Sequence, residues 1–144
     1  MSKTTDFPFV EGHYRMTNDW SIFLQEPFRR RIEEGSLVLW RPGITTWINV
    51  WANDNNENAE GRLTWIQADR SSDAFNEILE EEDGLLRYAY RLREDSTDER
   101  VAALYGFVIG VSGYVQMAIY FDSEDTLTVA ETLWRSIREN LKAV

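Results

Sequence analysis

The segment VAALYGFVI (residues 101–109), GVSG (110–113) and YVQMAIYF (114–121) decides the fold. Two apolar runs rich in β-branched and aromatic residues flank a glycine-bounded turn, the pattern of an antiparallel hairpin. In the second run Val115, Met117, Ile119 and Phe121 alternate with Tyr114, Gln116, Ala118 and Tyr120, so one face is wholly apolar and the other aromatic but partly polar. Just upstream, Leu86, Tyr88, Tyr90 and Leu92 alternate with Arg87, Ala89 and Arg91, and residues 94–99 form a charged turn. Residues 85–121 therefore read as a three-stranded antiparallel meander.

Working outward, ITTWINVW (residues 44–51) is β-branched and aromatic, with Ile44, Thr46, Ile48 and Val50 opposite Trp47, Asn49 and Trp51. Pro42-Gly43 marks a turn after a strand over 36–41. Residues 20–25 alternate as a strand that Pro27 ends, and 28–34 read as a helical turn or loop. The Asn-rich loop 53–61 precedes an expected strand over 62–67. Ser71 and Ser72 are placed to cap a helix over 72–83, with Ala74, Phe75, Ile78 and Leu79 at helical spacing and Gly84 as its stop. After Asp122 or Ser123, the stripe Leu127, Ala130, Leu133, Trp134, Ile137 and Leu141 predicts a closing helix. The expected fold is α+β: a twisted antiparallel sheet of about six or seven strands with two main helices packed on it. Residues 18–144 form one domain and 1–17 an N-terminal extension.

Composition narrows the function. Fifteen Lys+Arg against 25 Asp+Glu give a net charge of −10, which repels nucleic acid and anionic lipid. There is no Cys and one His, which removes thiolate chemistry and most transition-metal sites, so neither metal nor cofactor is expected. The first residues lack an apolar signal core, and no apolar run reaches the about 20 residues a membrane helix needs, so a soluble, cytoplasmic protein is expected.

Catalytic constellations are missing. His13 has no nucleophile turn to serve. Asp54-x-Asn56-x-Asn58 starts like a calcium loop but has Ala59 where the turn needs Gly and Trp65 where the bidentate Glu belongs. Gly106, Gly110 and Gly113 match no phosphate-binding pattern. Arg29-Arg30-Arg31 is the one concentrated positive patch, and at helical spacing Glu33 and Glu34 would neutralise it.

What remains is aromatic surface: six Trp, six Tyr and seven Phe. With both helices packed on the apolar side, Trp47, Asn49, Trp51, Tyr114, Gln116 and Tyr120, joined by Arg87 and Arg91, would line an open face of the kind that binding hot spots use. The expected partner is another protein or a second copy in a homodimer, and the role non-enzymatic. The rival expectation is a small-molecule binder or enzyme whose pocket between helix and sheet uses Arg87, Arg91, Tyr88 or Tyr90 to hold an anion.

The order of elements from WSIFL (residues 20–24) through the meander, closing with FDSEDTLTVAETLWRSI (121–137), resembles the PsbP/DcrB-like family. The resemblance spans roughly residues 18–141 as an order of elements, and the segment from Ala130 to Ile137 is most similar. It implies an antiparallel sheet between helices, used mostly by binding or accessory proteins. The chain departs from the exported branches in lacking an export signal at its start, and no functional residue of the family maps onto it.

Overall fold

Turn chemistry sets the hairpins. Glu34-Gly35 and Asp83-Gly84 both have positive φ at the two central positions, as two-residue hairpin turns matched to strand twist require. In the computed structural model, which describes residues 7–93 and 101–140, the strands are β1 (Phe9–Arg15), β2 (Trp20–Glu33), β3 (Ser36–Arg41), β4 (Ile44–Ala52), β5 (Phe75–Glu82), β6 (Leu85–Leu92), β7 (Ala103–Ile109), β8 (Gly113–Phe121) and the two-residue β9 (Arg138–Glu139). They form one antiparallel sheet in the order β1-β2-β3-β4-β8-β7-β6-β5, with β9 paired to the start of β2. Two helices, α1 (Ala59–Asp69) and α2 (Leu127–Arg135), complete an α+β architecture.

The sheet is wider than the six or seven strands expected. Part of the expected N-terminal extension is β1, which pairs along β2. The helix expected over 72–83 is the edge strand β5, and the strand expected over 62–67 lies within α1. A bulge explains the first exchange: Asn76 adopts φ 53°, and Asn76 and Glu77 together oppose Tyr90. Phe75 and Ile78 thereby reach the same face three residues apart, which imitates helical spacing. In α1, Asn58 accepts a hydrogen bond from the Gly61 amide, and Leu63 and Ile66, three apart, are the buried pair. Nor does Pro27 end a strand. It sits where the β1–β2 register slips between Val10 and Gly12, a place where no ladder hydrogen bond is demanded of it, and β2 continues through residues 28–33.

The helices lie on opposite faces instead of sharing one. α2 covers the inner face, where Trp134, Leu133, Ala130 and Ile137 pack with Trp20, Leu24, Leu39, Ile48, Val108, Met117 and Ile119. Trp134 is fully buried, lies over Gly106, and donates its indole N–H to the Phe107 carbonyl at 3.1 Å. The helix is shorter than the expected stripe: it stops at Arg135, and Leu141 and the charged turn 94–99 lie outside the described residues.

Candidate functional site

Cross-strand register defines the outer face. One row runs Val38, Trp47, Ala118, Tyr105, Tyr90 across β3, β4, β8, β7 and β6. The next contains Asn49, Gln116, Phe107 and Tyr88, and a third Trp51, Tyr114, Ile109 and Leu86. On the other side of the first row lie Arg29, Trp40, Thr45 and Tyr120. Helix α1 closes only one half of this surface, where Leu63 and Ile66 pack on Tyr88, Tyr90, Phe107, Ile109 and Tyr114. Among the described residues, no helix lies over the half formed by β3, β4 and the outer residues of β8.

Six of the eight expected site residues share this face. Trp47, Asn49, Gln116 and Tyr120 are half-buried, and Trp51 is 49% exposed. Tyr114 is buried at the boundary, where Trp51 stacks on it with centroids 6.3 Å apart and the Arg62 guanidinium lies 5.1 Å from its ring. Burial raises the pKa of the Tyr114 phenol and nearby Arg62 opposes that rise. Asn49 is held by the Ser36 hydroxyl, which donates to its side-chain oxygen at 2.8 Å. Trp40, Arg29 and Arg31 also belong to the face, and parity along one strand could not reveal them because the shared face is set by pairing with β4. The Arg31 guanidinium lies over Trp40 at 4.7 Å and Trp47 at 5.8 Å.

Arg87 and Arg91 do not join the site. They pair with Val108 and Leu104 and face inward, opposite to Tyr88 and Tyr90, so neither arginine shares a face with either tyrosine. Both are buried because each is hydrogen-bonded to a helix-terminal group. Arg87 binds Glu82 at 2.8 Å and donates to the Ile137 carbonyl at 3.3 Å, just beyond α2. Arg91 grips Glu124 through two bonds, of 2.7 and 3.0 Å, in the 3-10 turn that leads into α2. The pair fastens both ends of the closing helical segment to the sheet.

The remaining polar motifs have local work. Asn53 and Asn58 fold the loop and cap α1, and the His13 ring packs at a tilt against Phe23, with centroids 4.9 Å apart. Among the described residues no group of three or more His, Asp or Glu side chains is placed to hold a metal ion, and no helix is long and apolar enough to cross a membrane. No protein-family model matches the chain, and no curated protein does.

Proposed function

We propose that the chain is a non-enzymatic protein-binding or accessory module, immunity- or chaperone-like in kind, that meets its partner through the half of the outer face over which no described helix lies. One observation carries the reading: Trp40, Trp47, Trp51 and Tyr120 are brought by register onto adjoining strands and, among the described residues, have no helix over them. Trp, Tyr and Arg dominate binding hot spots because they bury large area around a few polar anchors. The sheet edges support a face-on approach. Both outermost strands, β1 and β5, are interrupted by register shifts, which discourages addition of a further strand. The resemblance to the PsbP/DcrB-like family points the same way, since its fold serves mostly binding proteins. A charge of −10 argues against nucleic acid as the partner, and a cytoplasmic setting completes the reading.

The test is affinity capture with wild-type, Trp47→Ala and Trp51→Ala baits, followed by titration with the purified partner. Loss of a central hot spot corresponds to about thirtyfold weaker binding. A partner that binds all three baits equally overturns the assignment of the face, as does failure of the wild type to retain any partner. Sedimentation across protein concentrations separates a hetero-partner from a homodimer: self-association abolished by Trp47→Ala would assign the face to a second copy.

A further inference from the structure

We infer that the partner presents a proline-rich segment in the polyproline II conformation, with a basic residue at one end, laid along β4 over Trp40, Trp47 and Trp51. The inference rests on the protein-binding reading above and names the chemistry of the partner. Area separates a segment from a second copy. The half of the outer face with no described helix over it spans β3, β4 and β8, and β4 is nine residues long. At ordinary strand spacing and rise this is a strip about 15 Å wide and about 30 Å long, or about 450 Å². A standard interface buries about 800 Å² on each partner, so the strip is narrow for a dimer and sized for one extended segment.

The sheet dictates the conformation of the segment. β3, β4 and β8 are each paired on both sides, so this face offers side chains alone and no edge on which a strand could add. Polyproline II is the extended form that needs no backbone ladder: its carbonyls stay unbonded, and a proline-rich chain loses little entropy in adopting it. Unlike that of Trp134, the indole N–H groups of Trp40, Trp47 and Trp51 have no hydrogen-bond partner among the described residues. They can donate to such carbonyls while proline rings pack against the indoles. A helix would leave these donors unmet, because its carbonyls are bonded internally. Spacing agrees. Trp47 and Trp51 are four residues apart on β4, about 14 Å at strand rise, which four to five polyproline II residues span at about 3.1 Å each. Trp40 extends the line from the neighbouring strand, where it pairs with Thr45, so about seven residues reach all three.

Charge places the basic end. The arginines of this region have partners of their own: Arg29 donates to the Phe7 carbonyl at 3.0 Å, Arg31 pairs with Glu33 at 3.2 Å, and Arg41 with Glu26 at 2.7 Å. Nothing around Trp40 and Trp47 therefore calls for a charged occupant. The Trp51 end differs. Glu34 lies in the turn just before Ser36, whose hydroxyl reaches Asn49, and Asp54 follows Trp51 by three residues. Both carboxylates are exposed, and neither forms an ion pair among the described residues. Trp51 is itself 49% exposed, so a Lys or Arg of the segment meets an open ring and carboxylates at the same end. The net charge of −10 draws such a segment in and repels an acidic one.

A displayed library of random dodecapeptides, panned on the immobilised full chain, tests this directly. Enriched peptides should carry several prolines within a run of about seven residues, with Lys or Arg at one end of the run. Synthetic versions should lose about tenfold in affinity when the prolines are changed to alanine, and about tenfold on Trp47→Ala protein shown by circular dichroism to be folded. Trp47→Phe keeps a ring and removes the N–H, and should cost about threefold. Glu34→Gln/Asp54→Asn alters exposed groups alone; it should cost about threefold for peptides with the basic residue and nothing for versions with glutamine in its place. Winners without proline, acidic winners, no winners, or a dimer at the working concentration that Trp47→Ala dissolves would overturn the inference. Winners of another composition that still need Trp47 would leave the protein-binding reading standing. Winners indifferent to both Trp47→Ala and Trp51→Ala would remove both.

Discussion

Gly106→Ala tests how tightly the closing helix is fitted to the sheet. A Cβ at position 106 would lie 2.6 Å from Cδ1 and 3.0 Å from Cγ of Trp134, where ordinary contact begins at 3.4 Å. The indole must retreat by about 0.8 Å, yet it is fully buried and tied to the Phe107 carbonyl. Overpacking of this kind costs about 1–3 kcal/mol, and a stretched hydrogen bond adds about 0.5–1.5 kcal/mol. Against this, alanine stabilises by about 0.4–1 kcal/mol through the unfolded chain. The net expectation is a loss of about 2 kcal/mol. Trp134→Leu alone should cost about 3 kcal/mol, as large-to-small changes in cores do. In the Trp134→Leu background the added methyl has room, so Gly106→Ala should then cost nothing, and a coupling of about 2 kcal/mol should emerge from the double-mutant cycle. Urea denaturation followed by far-ultraviolet circular dichroism measures all four proteins without depending on tryptophan emission. Stability of Gly106→Ala within about 0.5 kcal/mol of wild type, or an undiminished loss in the Trp134→Leu background, would refute the packing argument.

Three further outcomes are expected. Thr46 is buried on the inner face, and its hydroxyl has no hydrogen-bond partner among the described residues, so Thr46→Val should raise stability by about 1 kcal/mol in the same denaturation assay; a loss would show that the hydroxyl is satisfied. The hydrogen bond from Arg91 holds the Glu124 carboxyl below its ordinary 4.5, and burial only partly opposes this. A carboxylate depressed in the folded state stabilises above its unfolded value, and that contribution fades as pH falls through the folded one; melting temperatures of Glu124→Gln between pH 2 and 6 should therefore show a flatter acid limb than wild type. Burial and the Glu77 carboxylate raise the Tyr88 phenol well above its ordinary 10.0, so stability should decline as pH rises beyond 10, and Tyr88→Phe should remove part of that decline and one late-titrating phenol in an ultraviolet titration.

Much of the sheet was legible because its central strands carry uninterrupted alternation. The hairpins 36–51 and 101–121 needed only their periodicity and the Pro42-Gly43 and 110–113 turns. The flank 59–84 is not legible from periodicity because a bulge alters the period: one extra residue at Asn76 gives a strand the spacing of a helix, while Leu63 and Trp65 give a short helix the look of alternation. A signal was present in Asp83-Gly84, a hairpin dipeptide assigned to stopping a helix. The site was half legible for a related reason. Parity joined Trp47, Asn49 and Trp51, and separately Tyr114, Gln116 and Tyr120, but only register could bring in Trp40 and Arg31 or send Arg87 and Arg91 to the inner face. The isolated tripeptide Arg29-Arg30-Arg31 likewise changed meaning once its backbone proved extended.

Along the sheet, β1 to β4 and β5 to β8 are each neighbours in sequence, and the early chain is joined to the late one by the long ladder between β4 and β8, from Ile44 with Phe121 to Ala52 with Gly113, and by the two-residue pairing of β9 with the start of β2. During synthesis the apolar side chains of Leu37, Leu39, Ile44 and Ile48 therefore wait for a complement that leaves the ribosome only with β8 and α2. Closing these distant pairings, the β4–β8 ladder above all, is the entropically expensive event of folding. The same arrangement makes the chain divisible: a cut in the Asn-rich loop 53–58 yields two half-sheets that reunite along the β4–β8 seam and the short β2–β9 pairing, the layout of a split reporter.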